Sequence, residues 1–275
     1  MNGQELDIYI PHLKTAIEYN GSVWHHSSTS DYVSAFNKKG YKHHMYHYNK
    51  WKLCKDNNVT LLSVYDFLWI VKNKQEIYKA KIKYLCGKSI KLYGRKCVLK
   101  EIKVSKARQM IEQNHLEGYG VSFKNSKAFG LYAVINEIET LVMCITVGEQ
   151  YQQNTKQWKT KVHRVCTLKD YCVVGGLSKL IKHIKSVYKG IDIVYQITLA
   201  TGGNTLNSYT NYRIIAPRYY WVKSSLKYYT RYQCQKSKLE KEFNIPLLEN
   251  DTEVTYMERL GYLKVFDNGL AEIKT

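Results

Sequence analysis

Asp7 and Glu18 are the two residues whose types and spacing point most directly to chemistry. They lie in Glu5-Leu6-Asp7-Ile8-Tyr9-Ile10-Pro11 and in Ala16-Ile17-Glu18-Tyr19-Asn20-Gly21, and Trp24-His25-His26 follows. Two carboxylates on adjacent strands repel unless a cation or a proton compensates them. Carboxylate oxygens are also what a hard divalent metal seeks. Strand alternation puts Glu5, Asp7 and Tyr9 on one face and Leu6, Ile8 and Ile10 on the other, while Glu18 shares a face with Ala16 and Asn20. Antiparallel pairing through the Pro11 turn would bring Asp7 and Glu18 together; the competing reading is a solvated sheet face bearing both. His25 or His26 could carry a proton beside a metal-bound water, and for one of the two a solvated loop position is expected. His43 and His47 would share a helix face. That spacing can hold zinc, but no third ligand is positioned by the sequence, which favours a part in phosphate binding or catalysis.

These residues need elements to position them. The patterning predicts strands over Glu5–Ile10 and Lys14–Tyr19, then a polar loop with a short helix over Ser27–Lys39. A helix is expected over Tyr41–Asp56, ended by Asn57-Asn58. A buried strand over Thr60–Tyr65 and a long helix capped by Asp66 and running to Cys86 come next. Residues 88–96 read as a basic linker. Strands are expected over Cys97–Val104, Ser122–Ile135 and Glu139–Val147, with a hairpin turn at Ile135-Asn136-Glu137 and a helix from Ser105 to Asn114. Val173-Val174-Gly175-Gly176 leads from a strand into a helix over Leu177–Tyr188, and a strand over Ile191–Ile197 follows. The Gly-Gly pair could cradle a pyrophosphate on backbone N–H groups or form a tight turn. The expected class is α+β (α/β), in two domains over residues 1–87 and 97–275.

Composition narrows the partner. Among 275 residues there are 42 Lys and Arg against 23 Asp and Glu, a formal net charge of +19. Such a charge favours a polyanion, and nucleic acid above all, because phosphate contacts release condensed counterions. No apolar run approaches the roughly 18 residues of a spanning helix, and Met1-Asn2-Gly3-Gln4 lacks a secretory pattern. The seven cysteines show no CxxC spacing, which argues against zinc or disulfides and suits a reducing cytosol. There are 25 tyrosines to six phenylalanines. In Arg218–Lys241, Tyr219, Tyr220, Trp221, Tyr228, Tyr229 and Tyr232 interleave with Lys223, Lys227, Arg231, Lys236 and Lys238. That pattern suits phosphate tracking and base stacking, or a core strand and helix with a solvated charged face.

The run ELDIYIP…AIEYNG…WHH with HYNKWKLCKDNNVTLLSVYDFLW, over about residues 4–86, resembles phage-encoded endonucleases related to very-short-patch-repair nucleases. Their core is of PD-(D/E)xK type, and they include homing endonucleases with an EDxHD site. The resemblance implies that Asp7 binds Mg2+ (or Mn2+), that Glu18 lies at the second metal-binding position, and that His25, with His47 and Asn49 from the next helix, completes the site. Relatives carry more chain before this strand, so the first Glu of EDxHD is Glu5 or has no counterpart; Asn20 stands where a lysine is usual.

Over about residues 97–270, IEQNHLEGYG, VVGGLSKLIKHI, GGNTLNSYTNYRI, PRYYWVKSSLKYYTRYQCQKSKL and MERLGYLKVFDNG resemble a domain found in many of the same phage proteins. That domain is distantly similar to GNAT acetyltransferases and to the Mom DNA-modification protein. Relatives often place Asp-Arg-Arg where this chain has Ile197-Thr198-Leu199. The resemblance as a whole implies a small PD-(D/E)xK-like core followed by a GNAT-like mixed sheet. The expected function is a Mg2+-dependent DNA endonuclease in the host cytoplasm. Its catalytic residues would be Asp7, Glu18, His25 and His47, and its DNA-binding residues Lys42, Lys50, Arg218, Lys223, Lys227, Arg231, Lys236 and Lys238. The partner is double-stranded DNA, with a homodimer as one option and no membrane. The alternatives are a catalytically degenerate DNA- or protein-binding phage protein and a GNAT-like transferase.

Overall fold

A computed structural model describes residues 5–120, 123–152, 156–188, 193–202, 206, 211–223 and 226–274. The fold is α+β. The chain begins with strand β1 (Ile8–Ile10), a short 3-10 turn over Pro11–Leu13, and strand β2 (Thr15–Asn20). Pro11 opens the turn with its fixed φ, and Lys14 closes it in the left-handed region at φ 45°. Helices α1 (Ala35–Lys38) and α2 (Tyr46–Asp56), strand β3 (Thr60–Tyr65) and helix α3 (Asp66–Trp69) follow.

Helix α4 (Lys72–Leu85), β4 (Ile90–Tyr93), β5 (Val98–Ile102), α5 (Val104–Asn114), β6 (Lys124–Ile135), β7 (Ile138–Gln152), β8 (Gln157–Thr167), β9 (Tyr171–Val174), α6 (Gly176–Val187) and β10 (Val194–Thr198) come next. The chain closes with α7 (Leu199–Gly202), β11 (Arg213–Ile215), β12 (Tyr219–Lys223), β13 (Tyr228–Thr230), α8 (Lys236–Phe243), α9 (Glu253–Arg259), β14 (Tyr262–Phe266) and β15 (Leu270–Lys274).

The chain forms two compact units that do not follow its linear order. Unit 1 joins residues 1–71 to 197–271, and unit 2 holds residues 72–196 and 272–275. In unit 1, β2 lies between antiparallel β1 and parallel β3. A second sheet runs β13-β12-β14. Its aromatic core gathers Trp221, Tyr229, Tyr256 and Tyr262 with Cys234, Leu239 and Met257. In unit 2, β5, β6, β7 and β8 form an antiparallel run, β10 joins β8 in parallel, and α5 packs Ala107, Met110 and Ile111 against Cys144 and Cys166.

Several sequence expectations need correction. The helix expected from Asp66 to Cys86 is broken at Ile70 and Val71, and Tyr65 rather than Asp66 is the N-cap of α3. Residues 88–96, expected as a linker, include β4, which pairs in parallel with β9. Strand β8 was not foreseen, because its Lys, Gln and Thr content hides its alternation. The starts of the strands expected at Ser122 and Ile191 lie outside the described residues. The hairpin turn holds: Asn136 and Glu137 both have positive φ, as a two-residue turn between twisted strands requires.

Candidate functional site

The first layer of the site is the β1–β2 pair. Its register joins Ile8 to Ile17, Tyr9 to Ala16 and Ile10 to Thr15, so one further step sets Asp7 opposite Glu18. The backbone N–H of Asp7 lies 3.5 Å from Glu18 Oε2, and the N–H of Tyr19 donates to Asp7 Oδ2 at 2.6 Å. Ala16, Glu18 and Asn20 face inward and are buried, while Tyr19 points to solvent. On the other face of β1, Ile8 is 53% exposed. β1 is a three-residue edge strand, and nothing requires its second face to be covered.

Helix α2 supplies the second layer. Its buried residues are His47, Lys50, Trp51 and Cys54, spaced as one helix face. That face is half polar, and its polar half meets Glu18. The Lys50 ammonium donates to Glu18 Oε1 in a buried ion pair. Lys50, expected among the DNA-contacting cations, is therefore inside the site and only 5% exposed. His47 stacks on His25 with ring centroids 5.3 Å apart. The first turn of α2 is tied down by Asn268, whose Nδ2 donates to the His47 carbonyl while its Oδ1 accepts from the Tyr65 hydroxyl.

The loop between β2 and α2 is fixed by His26. Its Nδ1 accepts from the Ser28 N–H, so its Nε2–H donates to the Asn37 carbonyl at 2.6 Å. His26 is fully buried, and the expectation of a solvated histidine in this pair is corrected to a structural one. A Cβ on Gly40 would fall 1.8 Å from the Val23 carbonyl oxygen, so this loop closes only around a glycine. Asp66 holds the end of β2 by accepting from both the N–H and the hydroxyl of Ser22.

Electrostatics follow from burial. Burial raises the Glu18 pKa; the Lys50 ammonium opposes that rise and the Asp7 charge adds to it. Burial, then the charges of Lys42 and Lys50, lower His25 to about 4. Burial, then His25, Lys50 and Lys42, lower His47 to about 3. Both imidazoles are neutral at pH 7. Among the described residues, their buried His25 Nδ1 and His47 Nε2 have no hydrogen-bond partner, nor does either amide atom of Asn20. Buried polar atoms normally find partners, and these have none among the described residues.

The donor types here are those a hard cation takes. Asp7 Oδ1, Glu18 and the orphaned Asn20 Oδ1 are oxygen donors of the kind Mg2+ or Mn2+ takes. Among the described residues no group of three or more His, Cys, Asp or Glu is gathered as a metal cage. The expected His43–His47 face is not formed, since α2 starts at Tyr46 and His43 is exposed while His47 is buried.

The remaining cationic candidates scatter. Lys42 sits 5.3 Å from the Tyr46 ring. Arg218 makes a two-pronged bond to buried Asp267, which is a folding contact. Lys223, Lys227, Arg231 and Lys236 are exposed, and Lys238 lies over the Tyr232 ring at 3.3 Å. Of the aromatics interleaved with them, Trp221 and Tyr229 are core and Tyr232 is 62% exposed. In unit 2, Gly175 takes a left-handed φ of 72°, and a Cβ on Gly176 would press on Met143 and Val173 at 2.7 Å. Close packing explains the second glycine without a ligand.

Compared with known protein families and with curated proteins, the chain gives no match. Among the described residues no helix is long and apolar enough to cross a membrane.

Proposed function

We propose that the chain is a Mg2+-dependent (or Mn2+-dependent) DNA endonuclease whose centre is built on Asp7 and Glu18. The supporting observation is their opposition across the β1–β2 pair, with Glu18 buried and orphaned polar atoms of Asn20, His25 and His47 nearby. A divalent cation held by the two carboxylates would activate water and neutralise charge at a phosphodiester. Neutral His25 can accept a hydrogen bond at Nδ1 and so orient a water. His47 fixes the plane of that ring by stacking on it. Lys50, buried and paired with Glu18, brings a positive charge to the same face, where it adds to the stabilisation of charge at a phosphodiester. The net charge of +19 supports duplex DNA as the partner.

Nicking of supercoiled plasmid with Mg2+, beside an Asp7→Ala control, tests this reading. A second reading rests on the Lys50–Glu18 pair: Glu18 already has a resident cation, as expected of a catalytically degenerate DNA- or protein-binding module. Retained DNA binding without any metal-dependent nicking would favour that module.

A further inference from the structure

Among the described residues, strands β7 and β8 pair on past the last partners of β6 and β10. The outermost pair between β6 and β7 is Lys124–Glu149, and the register of β10 on β8 is Val194–Lys161. The pairs Gln150–Lys159, Tyr151–Trp158 and Gln152–Gln157 lie beyond both. The turn at 153–155 lies outside the described residues.

Two exposed strands gain most from side chains that pack across them, and this pair carries large rings there. Tyr151 and Trp158 are direct cross-strand partners, 46% and 52% exposed, with ring centroids 5.5 Å apart at 60°. The Lys124 ammonium lies 4.9 Å from the Trp158 ring. Lys156 and Lys159 are exposed, with no ion-pair partner among the described residues. The acid at the ribbon's base, Glu149, accepts from Asn125 Nδ2 at 2.9 Å. Alternation puts both rings on one face and Gln150, Gln157 and Lys159 on the other.

We infer that this ribbon binds an unpaired nucleic-acid strand, its bases stacking on Trp158 and Tyr151 and its phosphates met by Lys124 and Lys156. The charge complements a polyanion. The rings complement base faces, which a single strand offers and a duplex hides. No residue of the Asp7–Glu18 centre takes part, so the inference stands apart from cleavage.

The test uses the full chain in EDTA, with fluorescence anisotropy of a labelled deoxythymidine oligonucleotide and of a hairpin duplex. Trp158→Ala is expected to weaken single-strand binding roughly ten-fold, and Trp158→Phe to restore most of it. Duplex affinity should change by less than about two-fold. The Lys124→Ala/Lys156→Ala variant should reduce the slope of log K against log salt by about 1.4 for the single strand. Thermal melting should match the wild type, because these side chains are exposed. Wild-type single-strand affinity in both Trp158→Ala and Tyr151→Ala would overturn the inference. So would equal losses for single strand and duplex, the mark of a duplex-reading ribbon, or no binding of the oligonucleotide by the wild type.

Discussion

The Lys50 ammonium donates to Glu18 Oε1 with only 7% and 5% of the two side chains exposed. Removing one partner of a buried pair leaves the other charge uncompensated, at a cost of about 3–5 kcal/mol. Lys50→Met is expected to lose about that much stability by urea denaturation. Lys50→Met combined with Glu18→Gln should lose clearly less. If Asp7 and Glu18 hold a cation, Mn2+ should raise the melting temperature of Lys50→Met more than that of the wild type, since a competing ammonium is gone. Equal shifts would place metal binding elsewhere.

Acid should weaken unit 1 in a defined window. His25 and His47 bind protons less readily folded than unfolded, with pKa values lowered to about 4 and about 3. As pH falls below the ordinary value near 6.5, the unfolded chain takes up protons first, so stability falls with pH. The loss should run from about pH 6.5 down through those lowered values, while stability above pH 6.5 is insensitive to these two groups. His47→Gln should flatten this limb in urea titrations at stepped pH. An unchanged limb would mean that His47 is solvated.

Asp7→Asn should abolish metal-dependent nicking while leaving DNA affinity unchanged or slightly improved, because it removes a negative charge beside the phosphate. A cleavage time course with a parallel gel-shift titration measures both. Wild-type cutting by this variant would move the metal site away from β1.

How much of the site could be read in the sequence depends on the range of each interaction. Asp7 opposite Glu18, and Glu18 with Asn20 on one face, follow from a period of two and a short turn; both are local, and both were legible, though the burial of that face was not. Lys50 was misplaced because a helix face of His, Lys, Trp and Cys carries too little apolar contrast to announce which side is inside. His26 was misread because its partners, Ser28 and Asn37, become neighbours only when the loop closes around Gly40. Asn268 gave no signal at all: it reaches His47 and Tyr65 from the far end of the chain. The same distance hid the grouping of residues 1–71 with 197–271, since no periodicity records which segments meet.

Two arginines expected to contact DNA should separate by role. Arg218 binds Asp267 through Nε at 2.9 Å and through its other guanidinium nitrogen at 2.8 Å, and the Asp267 side chain is only 4% exposed. Arg231 is exposed, 5.6 Å from the Tyr219 ring. Losing charge-assisted hydrogen bonds to a buried carboxylate costs about 1.5–3 kcal/mol, whereas an exposed substitution usually changes stability by under about 0.5 kcal/mol. Arg218→Ala should therefore lower the urea midpoint with little change in DNA affinity of the folded fraction. Arg231→Ala should keep the midpoint and weaken DNA binding uniformly across sequences, as loss of a phosphate contact does. If Arg231→Ala binds as the wild type does, the β12–β13 segment and the turn after it serve folding alone, and the duplex-binding surface has to be sought on cations elsewhere, half-buried Lys42 beside the Tyr46 ring first among them.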